Sequence, residues 1–75
     1  MIPEVGDRAT RVLCGLLYVD ALVGRATFRS VALATGVGVG EVFYDLYFLR
    51  TLGLVDWDEG KSGTLRPLVD AFPVA

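Results

Sequence analysis

Few residues in this chain are equipped for chemistry. There is no histidine, and Cys14 is the single cysteine, so neither an ordinary zinc site nor an intramolecular disulfide can be assembled. No serine has a neighbouring base, and no carboxylate pair falls where a general acid and base would share a pocket. Asp56, Asp58 and Glu59 are close in sequence but lack the loop spacing of a calcium site. Gly36-Val37-Gly38-Val39-Gly40 looks like a glycine-rich phosphate loop, yet no Lys-Ser/Thr follows it and no strand precedes it. Cys14 has no local base and reads as a small buried apolar residue. The expectation is therefore a non-enzyme with no cofactor and no metal. What remains is charge that can meet phosphate: Arg25 and Arg29 in the middle of the chain, and Lys61 and Arg66 near its end.

Composition bounds the carrier of that charge. Seventy-five residues suffice for one domain, 1–75, with a thin core. A hydrophobic share of 53% and a mean hydropathy of +0.53 exceed what such a core absorbs, which points to a partner or self-association face. Net charge is −2 with a pI near 4.8, unlike a domain held to nucleic acid by bulk electrostatics. The charge is uneven: residues 1–36 sum to +1 and residues 37–75 to −3. The longest apolar region, Val12 to Gly24, is interrupted by Asp20 and is shorter than the roughly 20 residues of a membrane span. Pro3, Glu4 and Asp7 do not resemble a signal peptide, so a reducing, cytoplasmic setting is expected. The chain has no Asn or Gln and six Arg to one Lys, a bias that a hot environment and GC-rich coding explain equally well.

Three helices and a hairpin must position the charges. Asp7 can cap a first helix running to Val23 and stopped by Gly24. Ala9, Val12, Leu13, Leu16, Leu17, Val19 and Val23 share its apolar face, with Asp20 inside that face and expected to pair with an Arg. Arg8, Arg11, Cys14, Tyr18 and Leu22 lie opposite. After an extended link over residues 26–28, Thr27 caps a second helix, 28–35, and Thr35-Gly36-Val37 is a stop followed by a tight turn. A third helix starts at Gly38 or Val39 and ends at Gly53, with Val42, Leu46, Leu49 and Leu52 as its core stripe. Asp45, at the rim of that stripe, is expected to be solvated or paired. Leu54–Asp58 and Thr64–Arg66 read as strands joined by a glycine-rich turn, with Pro67 ending the pairing or sitting at an edge. Residues 67–75 form a tail in which Phe72 is expected to pack.

This order, with Thr27, Val31-Ala32, Gly36-Val37, Val42, Leu46, Leu49 and Gly53-Leu54-Val55 at their respective positions, resembles the winged helix-turn-helix superfamily over residues 26–66. The resemblance is to the superfamily and to no single family within it. It implies an α+β, mainly α fold of three helices followed by a two-stranded wing. It also implies a DNA-binding transcriptional regulator acting as a homodimer, with DNA contacts from Arg25, Arg29, Gly38, Gly40, Tyr44, Lys61 and Arg66. Two positions that commonly hold Ser or Thr at the start of the third helix are Gly38 and Gly40 here, which leaves backbone amides to meet phosphate.

The third helix departs from a DNA reader in its outer residues. Base readout favours Arg, Lys, Asn or Gln, and only Arg50, late in the helix, is of that kind. Glu41 could accept from a cytosine amine but repels phosphate. Glu41, Tyr44, Tyr47, Phe48 and Thr51 instead form an alternative interaction face for a protein partner or a second copy. The other account of the aromatics tucks Phe43 and Phe48 against the wing or the first helix and leaves the tyrosines outside. A dimer seam through the first helix would involve Tyr18, Leu22 and Phe72.

Overall fold

In the computed structural model, which describes residues 6–61 and 63–69, three helices precede a small antiparallel hairpin: α1 (Asp7–Val23), α2 (Phe28–Thr35), α3 (Val39–Thr51), β1 (Val55–Asp56) and β2 (Arg66–Pro67). This is the layout of a winged helix. The tail from residue 70 onward, and with it Phe72, lies outside the described residues.

The α2 boundaries follow from local chemistry. Thr27 is extended (φ −126°, ψ 164°), and its hydroxyl accepts from the Ser30 amide at 3.0 Å. The Ser30 hydroxyl in turn accepts from the Thr27 amide at 2.8 Å. This reciprocal cap satisfies two amide donors that the first turn leaves unpaired. At the other end Gly36 takes φ 73°, a left-handed conformation that side chains disfavour. The three residues 36–38 turn the chain so that α3 leaves α2 at 111°, within the range of a helix-turn-helix.

The first helix begins one residue earlier than its side chains suggest. Gly6, not Asp7, is the N-cap, and no side chain caps it. Asp7 is the first helical residue, where its charge still complements the helix dipole. Leu13, Leu16, Val31, Val42, Leu46, Leu49 and Val55 are fully buried. Ala26, also fully buried, forms a bridge to Leu65, so the α1–α2 link adds a third rung beside the hairpin.

Some expected core positions are outside. Val23 is 71% exposed and Leu52 43%, because each sits at a helix end beyond the reach of its neighbours. Cys14 is exposed rather than buried. It stands opposite the apolar face, one turn from Tyr18. Asp20 is half-buried and, among the described residues, has no Arg within ion-pair distance, so the expected pairing does not form. Its carbonyl takes the Gly24 amide at 2.8 Å and closes the helix.

One core position that periodicity does not single out is Gly15. It is buried on α1, and a Cβ there would collide with Thr35 Cγ2 and come within 3.6 Å of Val31 Cγ1. Glycine thus lets α1 and α2 approach closely. The hairpin is shorter than expected and shifted: Val55 pairs with Pro67 and Asp56 with Arg66. Pro67 therefore belongs to the ladder, at an edge position where a missing N–H is tolerated. The chain continues the pairing with Leu68 N–H donating to the Leu54 carbonyl at 2.9 Å.

Candidate functional site

The surface that the second and third helices share with the wing is built around Trp57. This residue is 7% exposed. Its ring meets Phe28 edge-on at 5.1 Å and Tyr47 at 5.0 Å. Phe43 closes the set against Phe28 at 4.9 Å and Tyr47 at 4.7 Å. Edge-to-face pairs at these separations are the favoured aromatic geometry. The cluster joins the start of α2, the outer side of α3 and the wing. It also splits the aromatic face: Phe43 and Tyr47 turn towards the wing, while Tyr44 is 70% exposed. Phe48 lies on the other flank, in a shallow groove shared with Tyr44, Asp7, Arg8 and Asp45. The tyrosines are therefore not equivalent, since Tyr47 packs with Trp57 and Tyr44 stands free.

Arg50 is the clamp of this arrangement. Its guanidinium lies 4.3 Å from the Trp57 ring centroid and donates to Asp56 at 3.1 Å, Glu59 at 2.7 Å and the Trp57 carbonyl at 3.3 Å. An arginine with this many partners is not free to read a base. Arg66 is partly engaged as well, with Asp56 at 3.5 Å and the Thr64 carbonyl at 3.2 Å. The Trp57 amide, donating at 2.9 Å, together with the two guanidiniums holds the Asp56 carboxyl below its ordinary range.

A depressed folded-state value means that Asp56 contributes stability above the usual carboxylate range. That contribution is lost as pH falls through the depressed value. We expect the urea midpoint to fall more between neutral pH and about pH 3 for the wild type than for Asp56→Asn. Equal falls would show that the Asp56 contacts do not distinguish the folded state.

On the far side of α3, Asp45 is 4% exposed and accepts from Arg8 Nε at 2.7 Å and Nη2 at 3.0 Å. This two-pronged pair ties α3 to the first turn of α1 and raises the Arg8 guanidinium above its ordinary value. At the start of α3 the Glu41 carboxylate folds back to accept from the Gly38 amide at 3.2 Å. That amide, expected to be open to phosphate, is therefore occupied. Gly40 is open, with no heavy atom within 4 Å of where a Cβ would stand. Thr51, at the far end of the face, spends its hydroxyl on the Phe48 carbonyl at 2.6 Å.

Pairing thus sorts the charges. Arg8, Arg50 and Arg66 are engaged by Asp45, Asp56 and Glu59. Among the described residues Arg11, Arg25, Arg29 and Lys61 have no ion pair, and all four are exposed. The last three converge. Arg29 and Lys61 line one open cleft of about 380 Å³ with Phe43, Tyr47 and Trp57, and Gly63 on the same cleft lies against the Arg25 side chain. Asp58 and the Arg50-bound Glu59 also line it. No signal in the sequence distinguished these cations from the engaged ones, because the difference lies in which acids reach them.

Of the expected seam residues, Tyr18 is 62% exposed and Leu22 66%. Among the described residues no three metal-ligating side chains gather at one point, and no single helix is long and apolar enough to cross a membrane. Set beside known families, curated proteins and solved structures, the chain matches no family model, no curated protein and no solved structure.

Proposed function

We propose that the chain binds duplex DNA as a winged helix, non-enzymatically, in the manner of a small transcriptional regulator. The observation that supports this most is the convergence of the unpaired cations Arg25, Arg29 and Lys61 on one cleft bordered by Phe43 and Tyr47 of α3. The internal ion pairs leave the net charge of −2 unchanged, since each removes one charge of either sign; what favours phosphate is the placing of Arg25, Arg29 and Lys61 rather than the total. Arg29 near the α2 start and Lys61 in the wing would hold the phosphate backbone, and Arg25 would extend that contact along the wing. Arg66 and the Gly38 amide would have to release their present partners to take part. A pair of chains meeting through Tyr18 and Leu22 of α1 would present two α3 helices to one duplex, the arrangement of a homodimer.

Mobility-shift titration with a mixed-sequence duplex at low salt tests this. Wild type should retard the duplex at micromolar concentration, and Arg29→Ala and Lys61→Ala should each reduce the slope of log K against log salt by about one. A duplex left unretarded by micromolar protein would refute DNA binding. A second reading, docking of a protein or a second copy on the α3 face, rests on the exposure of Tyr44 and the engagement of Arg50. It gains if no duplex binds while the mass by light scattering exceeds that of one chain and Tyr44→Ala restores it.

A further inference from the structure

Apart from the Tyr44 hydroxyl, every hydrogen-bonding side chain that could read a base edge from α3 is either absent or engaged. The chain has no Asn, Gln or His. Arg50 is clamped on Trp57 between two carboxylates, and Glu41 caps the Gly38 amide. The outer start of the helix is left apolar: Val39 is 52% exposed and Tyr44 70%. Tyr44 borders the groove at the start of α1 with Arg8 and Phe48, one turn after Gly40. At Gly40 the space is open, and a base edge can approach the helix closely. In the major groove the single apolar feature among the four bases is the thymine C5-methyl.

We infer that α3 selects A·T-containing sequence by apolar contact of Tyr44 with thymine methyl groups. Guanine-directed hydrogen bonds have no part in the selection. This inference rests on the DNA-binding reading above and names what that surface distinguishes. Phosphate contact through Arg29 and Lys61 is indifferent to base identity, so affinity and discrimination separate experimentally.

The test compares two duplexes of equal length, alternating d(A-T) and alternating d(A-U), which differ only in the methyl group. Wild type should bind the thymine duplex about fourfold more tightly for each methyl contacted, the equivalent of one buried methyl. Tyr44→Ala should bind the two alike, no tighter than wild type binds the uracil duplex. Tyr44→Phe, which keeps the ring and loses the hydroxyl, should discriminate as the wild type does. Equal binding of both duplexes by wild type overturns the inference and leaves DNA binding standing. So does a preference that survives Tyr44→Ala or disappears in Tyr44→Phe. If neither duplex binds, both the inference and the reading beneath it fall.

Discussion

Trp57→Ala is expected to destabilise the fold by about 3–5 kcal/mol. A domain of this length has a total stability of roughly 4–11 kcal/mol, at about 0.05–0.15 kcal/mol per residue, so the variant should be partly unfolded near physiological temperature. The side chain is almost fully buried and is the common neighbour of Phe28, Tyr47 and Arg50. Removing it takes away the surface on which the wing, α3 and the α2 start meet. It also frees Arg50 from the ring, leaving its contacts with Asp56 and Glu59 as exposed ion pairs of little strength. Urea unfolding followed by far-UV circular dichroism measures the loss without needing the tryptophan itself. Trp57→Phe should recover a large part of it, since a smaller ring still fills much of the site. A midpoint for Trp57→Ala within experimental error of wild type would mean that the wing is held by its two-residue ladder alone. Any DNA contact by Lys61 depends on the same anchorage, because the wing carries it.

Gly15→Ala is expected to lower stability by about 1–3 kcal/mol, although the same change in an open helix would raise it by up to about 1 kcal/mol. Tertiary contact decides the sign. The added methyl would overlap Thr35 Cγ2. Thr35 cannot turn away cheaply, because its hydroxyl donates to the Val31 carbonyl at 2.8 Å and accepts from the Val37 amide at 3.2 Å. Those bonds hold the start of the turn between α2 and α3, so pushing Thr35 aside disturbs the whole helix-turn-helix. For a domain of this size each kcal/mol corresponds to about 4–8 °C in Tm, and calorimetry can resolve the change. Thr35→Ser removes the clashing methyl and keeps the hydroxyl. Gly15→Ala combined with Thr35→Ser should therefore recover most of the loss. A single Gly15→Ala variant more stable than wild type would place α1 farther from α2 than described here.

These two variants show where local information stops. The second helix was legible residue by residue. Thr27 and Gly36 act within one turn of themselves, and the α2 ends fall where those residues put them, while the reciprocal bond from Ser30 was a finding of the structure. The core stripe Val42, Leu46 and Leu49 was legible for the same reason, since a 3.6-residue period is a property of the helix alone. Periodicity extended the stripe one position too far at Leu52, because exposure at a helix end depends on what lies beyond it. It likewise counted Val23 as core. Cys14 was misjudged from residue type, which records how often cysteine is buried and not which side of α1 faces the core. The hairpin was found, but its register needed the actual pairing of Val55 with Pro67.

The candidate site depended more heavily on the tertiary structure. The sequence by itself determined that the chain has no histidine and no side-chain amide. It also determined that three helices and a wing would carry the charges, and that the outer side of α3 is aromatic and acidic. These are matters of residue type and spacing. Only the folded arrangement decided which arginines are spoken for, because a charge is neutralised by whatever lies within a few ångströms of it. Asp45 reaches Arg8 across 37 positions of sequence, and Glu59 reaches back across nine to Arg50. Folding also divided the aromatic face, turning Tyr47 onto Trp57 and Phe43 onto Phe28 and Tyr47, and leaving Tyr44 exposed. The cations left unpaired and the free tyrosine of α3 are thus products of packing, which no period or composition encodes.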